Sequence, residues 1–145
     1  MDIRTLTPAY AVSPQIAPED LPAIKAAGFT RVICNRPDME NPVELGADVL
    51  KVATEAAGLS FVENPVMPGQ MTMENVEVQA AACAEADGPV LAYCASGNRS
   101  SIVWSFAQAG QMPTEDIIAA CARGGYDQAH IAPQIDALAE ARAQG

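Results

Sequence analysis

The chain has 145 residues, half of them hydrophobic, which is enough to build one domain with a buried core and argues against disorder. Its formal net charge of −10 disfavours nucleic acid and anionic membrane surfaces as partners. No apolar stretch reaches the roughly 18 residues of a membrane span, no signal peptide is visible, and the four cysteines form no close pair, so we expect a cytoplasmic protein without disulfides or a zinc site.

Hydrophobic periodicity predicts a repeated order of strand followed by helix. We predict four short apolar strands, at residues 10–13, 29–34, 59–62 and 89–93. We predict six helices, at residues 18–27, 43–57, 72–86, 101–109, 114–122 and 128–143. Because parallel strands need crossover connections, this order indicates a single-domain α/β fold over residues 1–145, with helices covering a parallel sheet.

Two polar loops follow predicted strands, at residues 35–40 and at residues 94–100. Ligands of parallel sheets bind beyond the carboxyl ends of strands, so we expect the two loops to share a cleft. In the first loop, Arg36 is a candidate anion contact, and an ion pair with Glu40 is the structural alternative. Asp38 is a candidate substrate contact or general acid, and a turn residue is its alternative.

The second loop places Cys94 and Arg99 on either side of four residues, between a strand and a helix. Loop amides and the N-terminus of the helix carry partial positive charge, which favours a bound anion and the thiolate form of Cys94. Arg99 offers a planar set of donors to an oxyanion, and we expect the Ser100 hydroxyl to donate to the sulfur. Gly97 permits a positive φ that turns amides inward. The substrate-binding amides are expected from Ala95, Ser96, Gly97 and Asn98. The alternative is a structural core cysteine beside a surface arginine.

Several segments resemble the bacterial family of the beta-lactamase hydrolase-like, phosphatase-like domain. The resemblance covers residues 10–106, through Tyr-Ala-Val-Ser-Pro-Gln-Ile at 10–16, Cys-Asn-Arg-Pro-Asp at 34–38 and Tyr-Cys-Ala-Ser-Gly-Asn-Arg-Ser at 93–100. It implies the fold of dual-specificity tyrosine phosphatases, with Cys94 as nucleophile, Arg99 as oxyanion ligand and Arg36 and Asp38 in a family signature. Members are also labelled sulfur transferases, and some are fused to persulfide-handling or sulfide-oxidising domains.

Two departures from tyrosine phosphatases affect the expected reaction. Tyr93 stands where those enzymes carry histidine, and the loop is one residue shorter, like the Cys-x4-Arg loop of rhodanese-type sulfurtransferases. The loop that resembles their general-acid loop, residues 64–71, contains no aspartate. Losing such an acid typically costs about 10²–10⁴ in rate, whereas sulfite or a thiolate leaves without protonation. We therefore predict a sulfurtransferase that moves sulfane sulfur from thiosulfate or a small persulfide to a thiol acceptor through a Cys94 persulfide.

Two other functions stay open. The first is a phosphatase that forms a phosphocysteine at Cys94, with Asp38 or Glu63 as a displaced acid. The second is an anion-binding or persulfide-carrier module without turnover. No metal-ligand cluster or dinucleotide motif is visible, so no cofactor is predicted.

Some of the remaining candidates have a functional as well as a structural interpretation. Cys34 is a buried small residue or a disulfide partner of Cys94, and His130 is a cap or surface residue. Met67, Met71 and Met73 are core residues or an apolar lip of the cleft. Cys83 and Cys121 are interpreted as packing residues.

Overall fold

Five short strands form one sheet in the computed structural model, which describes residues 1–145. The strands are β1 (Arg4–Thr7), β2 (Tyr10–Ser13), β3 (Arg31–Cys34), β4 (Ser60–Glu63) and β5 (Val90–Tyr93). Their order across the sheet is β1-β2-β5-β3-β4, so the strand that leads to Cys94 lies in the middle. The prediction of an α/β fold with helices around a sheet is confirmed.

The sheet is mixed rather than fully parallel. Strands β2, β5, β3 and β4 pair in parallel, whereas β1 pairs with β2 in antiparallel fashion at the edge. The prediction of a purely parallel sheet was therefore wrong for one strand. Only Leu6 of β1 is buried, so this segment lacks the apolar run that identified the other strands. The short connection to β2 allows the hairpin.

Six α-helices accompany the sheet: α1 (Leu21–Ala26), α2 (Ala47–Ala56), α3 (Met73–Ala84), α4 (Asn98–Ala107), α5 (Thr114–Arg123) and α6 (Ala132–Gln144). Short 3-10 turns precede α1, α2 and α6 within the predicted helical segments. Helix α3 begins at the predicted cap, because the Thr72 hydroxyl accepts the Asn75 N–H at 3.0 Å. None of these helices has the length and apolarity needed to cross a membrane.

The two faces of the sheet carry separate hydrophobic cores. One face packs against α1 and α2 through residues such as Leu21, Leu50 and Tyr93. The other packs against α3 to α6 through residues such as Trp104 and Ile117. Because side chains alternate along a strand, neighbouring residues at a strand end serve different faces. This alternation decides which polar groups can meet beneath the Cys94 loop.

Candidate active site

Cys94 follows the last residue of β5 and begins a loop, residues 94–99, that we call the Cys94 loop. The loop turns at Gly97, with φ of +94°, directly into the first residue of α4. The Gly97 N–H donates to Cys94 Sγ at 3.1 Å, so one amide points at the sulfur as the sequence indicates. Cys94 itself has no exposed surface, while Ala95 and Ser96 are exposed. The sulfur is therefore out of contact with solvent in this structure.

Helix α4 starts three residues earlier than predicted. Asparagine and serine favour caps and loops over helix interiors, which is why residues 98–100 did not read as helical. In the structure Asn98 opens α4, and Arg99 lies in its first turn. The partial positive charge of this helix end therefore lies beside the sulfur.

Tyr126 supports the Cys94 loop from below, and the sequence analysis did not identify it. Its hydroxyl donates to the Ser96 carbonyl at 2.8 Å, which holds that oxygen against Tyr126. A Cβ at Gly97 would overlap the same hydroxyl, so the close approach and the positive φ both require glycine there. Burial raises the pKa of Tyr126, although Arg4 opposes the shift, so the hydroxyl keeps its proton at neutral pH.

Asn98 contacts both Ser96 in the same loop and Gln128, which follows Tyr126 by two residues. The Asn98 N–H donates to Ser96 Oγ at 3.3 Å rather than to the sulfur. The side-chain oxygen of Asn98 accepts from Gln128 Nε2 at 2.7 Å. Of the amides predicted to face the sulfur, only that of Gly97 contacts it in this structure.

Arg99 is held in place by Glu40, from the loop after β3. Both Glu40 carboxylate oxygens accept from the guanidinium, at 2.8 and 2.7 Å, and the Val66 carbonyl accepts a third bond at 2.8 Å. The pKa of Arg99 is raised chiefly by the Glu40 hydrogen bond; burial opposes this, and nearby Cys94 adds to it. The guanidinium is thus fixed against Glu40 and the Val66 carbonyl. Its Nε–H and one Nη2–H form no hydrogen bond and can bind an oxyanion.

Arg36 does not reach the sulfur and contacts Glu40 instead. Its Nε lies 3.4 Å from a Glu40 carboxylate oxygen, and its Nη2 donates to the Glu40 carbonyl at 3.0 Å. This is the ion pair that the sequence analysis named as the alternative. Hydrogen bonds from Arg99, more than those from Arg36, lower the pKa of Glu40. Glu40 thus lies between two guanidinium groups and fixes the position of Arg99.

Neither carboxylate named as a displaced acid borders the site. Asp38 Oδ1 accepts the Ala47 N–H at 2.8 Å, where it satisfies a free amide in the first turn of α2. Glu63 is exposed at the end of β4. Neither residue lines the cleft beside Arg99. The direct-contact roles expected for Arg36 and Asp38 therefore have no support in this arrangement.

Ser100 was expected to donate to the sulfur, but its single hydroxyl proton goes elsewhere. Ser100 Oγ donates to Asn35 Oδ1 at 2.9 Å, and both residues are fully buried. The alternation of β3 explains the pairing, because it directs Asn35 toward α3 and α4. Ser100 therefore anchors the first turn of α4 to the end of β3.

Asn35 belongs to a buried network of polar side chains, which we call the amide network: Tyr10, Asn35, Asn64, Gln79 and Ser100. Gln79 Oε1 accepts from Asn35 and Asn64, each at 2.9 Å. Its Nε2 donates to the Tyr10 hydroxyl at 2.9 Å, and this hydroxyl donates to the Ser100 carbonyl at 2.8 Å. The network joins the ends of β3 and β4 to α3 and α4, so it holds these four elements, including the helix that follows the Cys94 loop, in fixed positions.

A cleft of about 570 Å³ opens beside the Cys94 loop, and we call it the site cleft. The loop contributes its polar wall: Ser96, Asn98 and Arg99. Apolar residues from the connection between β4 and α3 and from α4 form the other walls: Val66, Met67, Met71, Ile102 and Phe106. Met67 and Met71 thus lie at the predicted apolar lip. Met73 lines a smaller neighbouring cavity of about 260 Å³.

None of the four cysteines lines the site cleft, and neither does the histidine; the cleft borders the Cys94 loop at Ser96, Asn98 and Arg99. Cys34 Sγ donates to the Arg36 carbonyl at 3.4 Å and packs on the α1–α2 face of the sheet, so the structure does not bring it to Cys94. Burial raises the pKa of Cys34 and Cys121, and that of Cys83 to about 11. These three residues therefore stay thiols at neutral pH. His130 is exposed before α6.

Several solved structures share this fold. A protein from Neisseria meningitidis Z2491, described as a "putative phosphatase", superposes with a TM-score of 0.81 and 31% identity over 95% of this chain and 99% of that one. TpbA of P. aeruginosa, solved in complex with pTyr, has a TM-score of 0.64 at 17% identity over 99% of this chain and 91% of that one. The second similarity shows the fold alone.

Two curated relatives carry the same name. The beta-lactamase hydrolase-like protein of Agrobacterium fabrum is 35% identical over 109 residues, which are 74% of this chain and 25% of that protein. That of Xylella fastidiosa (strain Temecula1) is 27% identical over 129 residues, 88% of this chain and 30% of that protein. This chain thus spans less than a third of the relatives' length. The family profile matches residues 2–111, so the chain belongs to the family of the beta-lactamase hydrolase-like protein, phosphatase-like domain.

Proposed function

We propose that this chain is a cysteine-dependent phosphatase that hydrolyses phosphate monoesters through a phosphocysteine at Cys94. One arrangement carries the proposal. The Gly97 amide donates to Cys94 Sγ, and Arg99, in the first turn of α4, is held by Glu40 with two N–H groups free. A thiolate at the N-terminus of a helix, beside a fixed guanidinium, suits attack on an anionic phosphoryl group. The similar Neisseria protein, described as a "putative phosphatase", favours the same chemistry.

The reaction has two steps. In the first, Cys94 Sγ attacks phosphorus, an S–P bond forms, and the P–O bond breaks with its electron pair going to the leaving oxygen. In the second, water attacks phosphorus, the S–P bond breaks, and phosphate leaves while the sulfur regains its negative charge. The free N–H groups of Arg99 and the Gly97 amide stabilise the charge on the phosphoryl oxygens in both steps.

Sulfur transfer, which the sequence analysis favours, is the second candidate. The four-residue spacing between Cys94 and Arg99 supports it, because a short loop suits a single sulfur atom better than a phosphoryl group. The phosphatase has the stronger support, since a Neisseria protein of similar sequence and fold is described as a "putative phosphatase". Both reactions need a small anionic substrate, and only sulfur transfer needs a thiol acceptor.

Steady-state turnover of the wild type and Cys94→Ser distinguishes the candidates. A half-buried cysteine outside the site cleft supplies the control variant, Cys83→Ser. We expect release of phosphate from an aryl phosphate by the wild type and the control, and none by Cys94→Ser. Thiocyanate formed from thiosulfate and cyanide, with no phosphate release, would instead favour sulfur transfer. If neither phosphate nor thiocyanate forms, the anion-binding or persulfide-carrier module is the only remaining candidate.

A further inference from the structure

The walls of the site cleft define a substrate class. We infer that the substrates are phosphate monoesters whose leaving group is apolar and weakly basic, such as an aryl group, and that the leaving oxygen departs without a proton from the protein. This inference rests on the phosphatase activity proposed above. It adds which monoesters the site accepts and how the P–O bond breaks.

The first argument is the composition of the walls. Beyond the polar wall of the Cys94 loop, a leaving group would contact Met67, Met71 and Phe106, together with Val66 and Ile102. Burying an apolar or aromatic group against such side chains is favourable, and methionine makes good contacts with aromatic rings. A sugar or glycerol group would lose water there without hydrogen-bond partners in return. The walls therefore select an aryl group over a polyol.

The second argument concerns proton donors. Arg99 is the one ionisable residue that lines the site cleft, and the ion pair with Glu40 raises its pKa, so it stays a cation. Glu40 is the nearest carboxylate to that guanidinium, and both of its oxygens accept hydrogen bonds from Arg99. The same bonds lower the pKa of Glu40, so it carries no proton at neutral pH. Neither residue can protonate a leaving oxygen.

Two further groups, the Tyr126 hydroxyl and the Asp38 carboxylate, already form hydrogen bonds with the backbone. The Tyr126 hydroxyl directs its proton to the Ser96 carbonyl at 2.8 Å. The Asp38 carboxylate accepts the Ala47 N–H at 2.8 Å and does not line the site cleft. A leaving oxygen in the site cleft therefore meets methionine and phenylalanine side chains rather than an acid.

The chemical consequence is a strong dependence on the leaving group. When the P–O bond breaks without a general acid, the leaving oxygen takes the full negative charge and acquires its proton later from solvent. General acids typically contribute about 10²–10⁴ to such rates, most for the most basic leaving groups. Nitrophenolate tolerates this charge much better than unsubstituted phenolate or an alkoxide. The site should therefore discriminate among aryl phosphates by the acidity of the phenol.

A series of substituted phenyl phosphates tests the dependence. We expect kcat/KM of the wild type to fall at least about 100-fold from 4-nitrophenyl phosphate to phenyl phosphate. A fall of less than about tenfold would show that a proton is supplied and would overturn the inference. Cys94→Ser, assayed with 4-nitrophenyl phosphate, separates the two claims. If Cys94→Ser loses turnover and the wild-type rates barely depend on the leaving group, only this inference is wrong. If Cys94→Ser retains turnover, the proposed function is wrong.

A second measurement tests the apolar wall. Met67→Gln keeps the size of the side chain and makes it polar, so we expect KM for naphthyl phosphate to rise about fivefold. The KM for acetyl phosphate, whose leaving group is weakly basic but small, should rise less. Met39→Gln is the matched control, because Met39 is 78% exposed and lies outside the site cleft. Equal increases for both substrates would contradict a role of Met67 in binding the leaving group.

Discussion

The position of Arg99 depends on a single carboxylate. Glu40 binds it through two charge-assisted bonds, and the Arg99 and Glu40 side chains are only 15% and 21% exposed. In Glu40→Gln one oxygen becomes an amide nitrogen, which cannot accept, so the guanidinium loses a bond and its fixed orientation. We expect kcat/KM for an aryl phosphate to fall at least about tenfold. Glu44→Gln, an exposed neighbour, is the control, and equal activity of both variants would refute the positioning role.

The same ion pair makes stability depend on pH. Because Arg99 lowers the pKa of Glu40 in the folded state, the stabilisation is complete above the pKa that Glu40 has in the unfolded chain. It disappears as the pH falls through the lower folded-state value. We therefore expect the wild type to exceed Glu40→Gln in unfolding free energy by about 1–2 kcal/mol at neutral pH, and by progressively less in acid. Urea unfolding at several pH values measures this, and a gap that widens in acid would contradict it.

Tyr126 controls the direction of one loop carbonyl. Its hydroxyl binds Ser96 O at 2.8 Å, and Tyr126→Phe leaves this oxygen free to turn toward the sulfur, where it would repel an anion. We expect KM and the inhibition constant of inorganic phosphate to rise about fivefold to tenfold, with a smaller change in kcat. Unchanged phosphate inhibition in a folded variant would show that the hydroxyl only packs against Gly97.

Helix α3 is tied to the strand ends by the amide network. Gln79→Leu keeps the side-chain volume but removes the buried hydrogen bonds that Gln79 makes to Asn35, Asn64 and Tyr10. Unsatisfied buried groups cost about 1–3 kcal/mol each, and we expect the unfolding free energy to fall by about 2–4 kcal/mol. Urea denaturation measures the loss. Glu77→Gln, exposed on the same helix, should stay within about 0.5 kcal/mol of the wild type.

The elements with strong periodicity were predictable, and those set by tertiary contacts were not. Strands β2 to β5 are short apolar runs, and each was predicted within two residues of its bounds. Strand β1 has one buried residue and forms only by pairing with β2, so its sequence carries little signal. The start of α4 was missed because asparagine and serine at residues 98–100 favour loops, and the Gly97 turn before them depends on a contact with distant Tyr126.

The residues of the candidate site also divide into those with a local sequence signal and those brought together only by the fold. Cys94, Gly97 and Arg99 lie within six consecutive residues, so a local motif was enough to find them. Glu40 and Tyr126 come from positions 59 and 30 residues away from their partners in the Cys94 loop. No local spacing links them to Arg99 or Ser96. The hydroxyl of Ser100 was assigned to the sulfur for the same reason, because its partner Asn35 lies 65 residues away.

At the scale of the whole molecule, the strand order assembles the site. Strand β5 lies between β2 and β3, so the Cys94 loop emerges beside the loop that carries Glu40. The net charge of −10 does not attract an anion, so we expect the clamped Arg99 to supply much of the affinity for a phosphoryl group. The chain spans about a quarter of the Agrobacterium relative, so other segments of such proteins lie beyond this fold.

The most direct test of the central claim is the mass of the protein after rapid acid-free quenching with 4-nitrophenyl phosphate. The account predicts a transient increase by one phosphoryl group, located by peptide mapping on Cys94 and absent in Cys94→Ser, because the bond forms at the sulfur that contacts the Gly97 amide. Release of nitrophenol at the same rate by Cys94→Ser, or a phosphoryl group on any other residue, would contradict it.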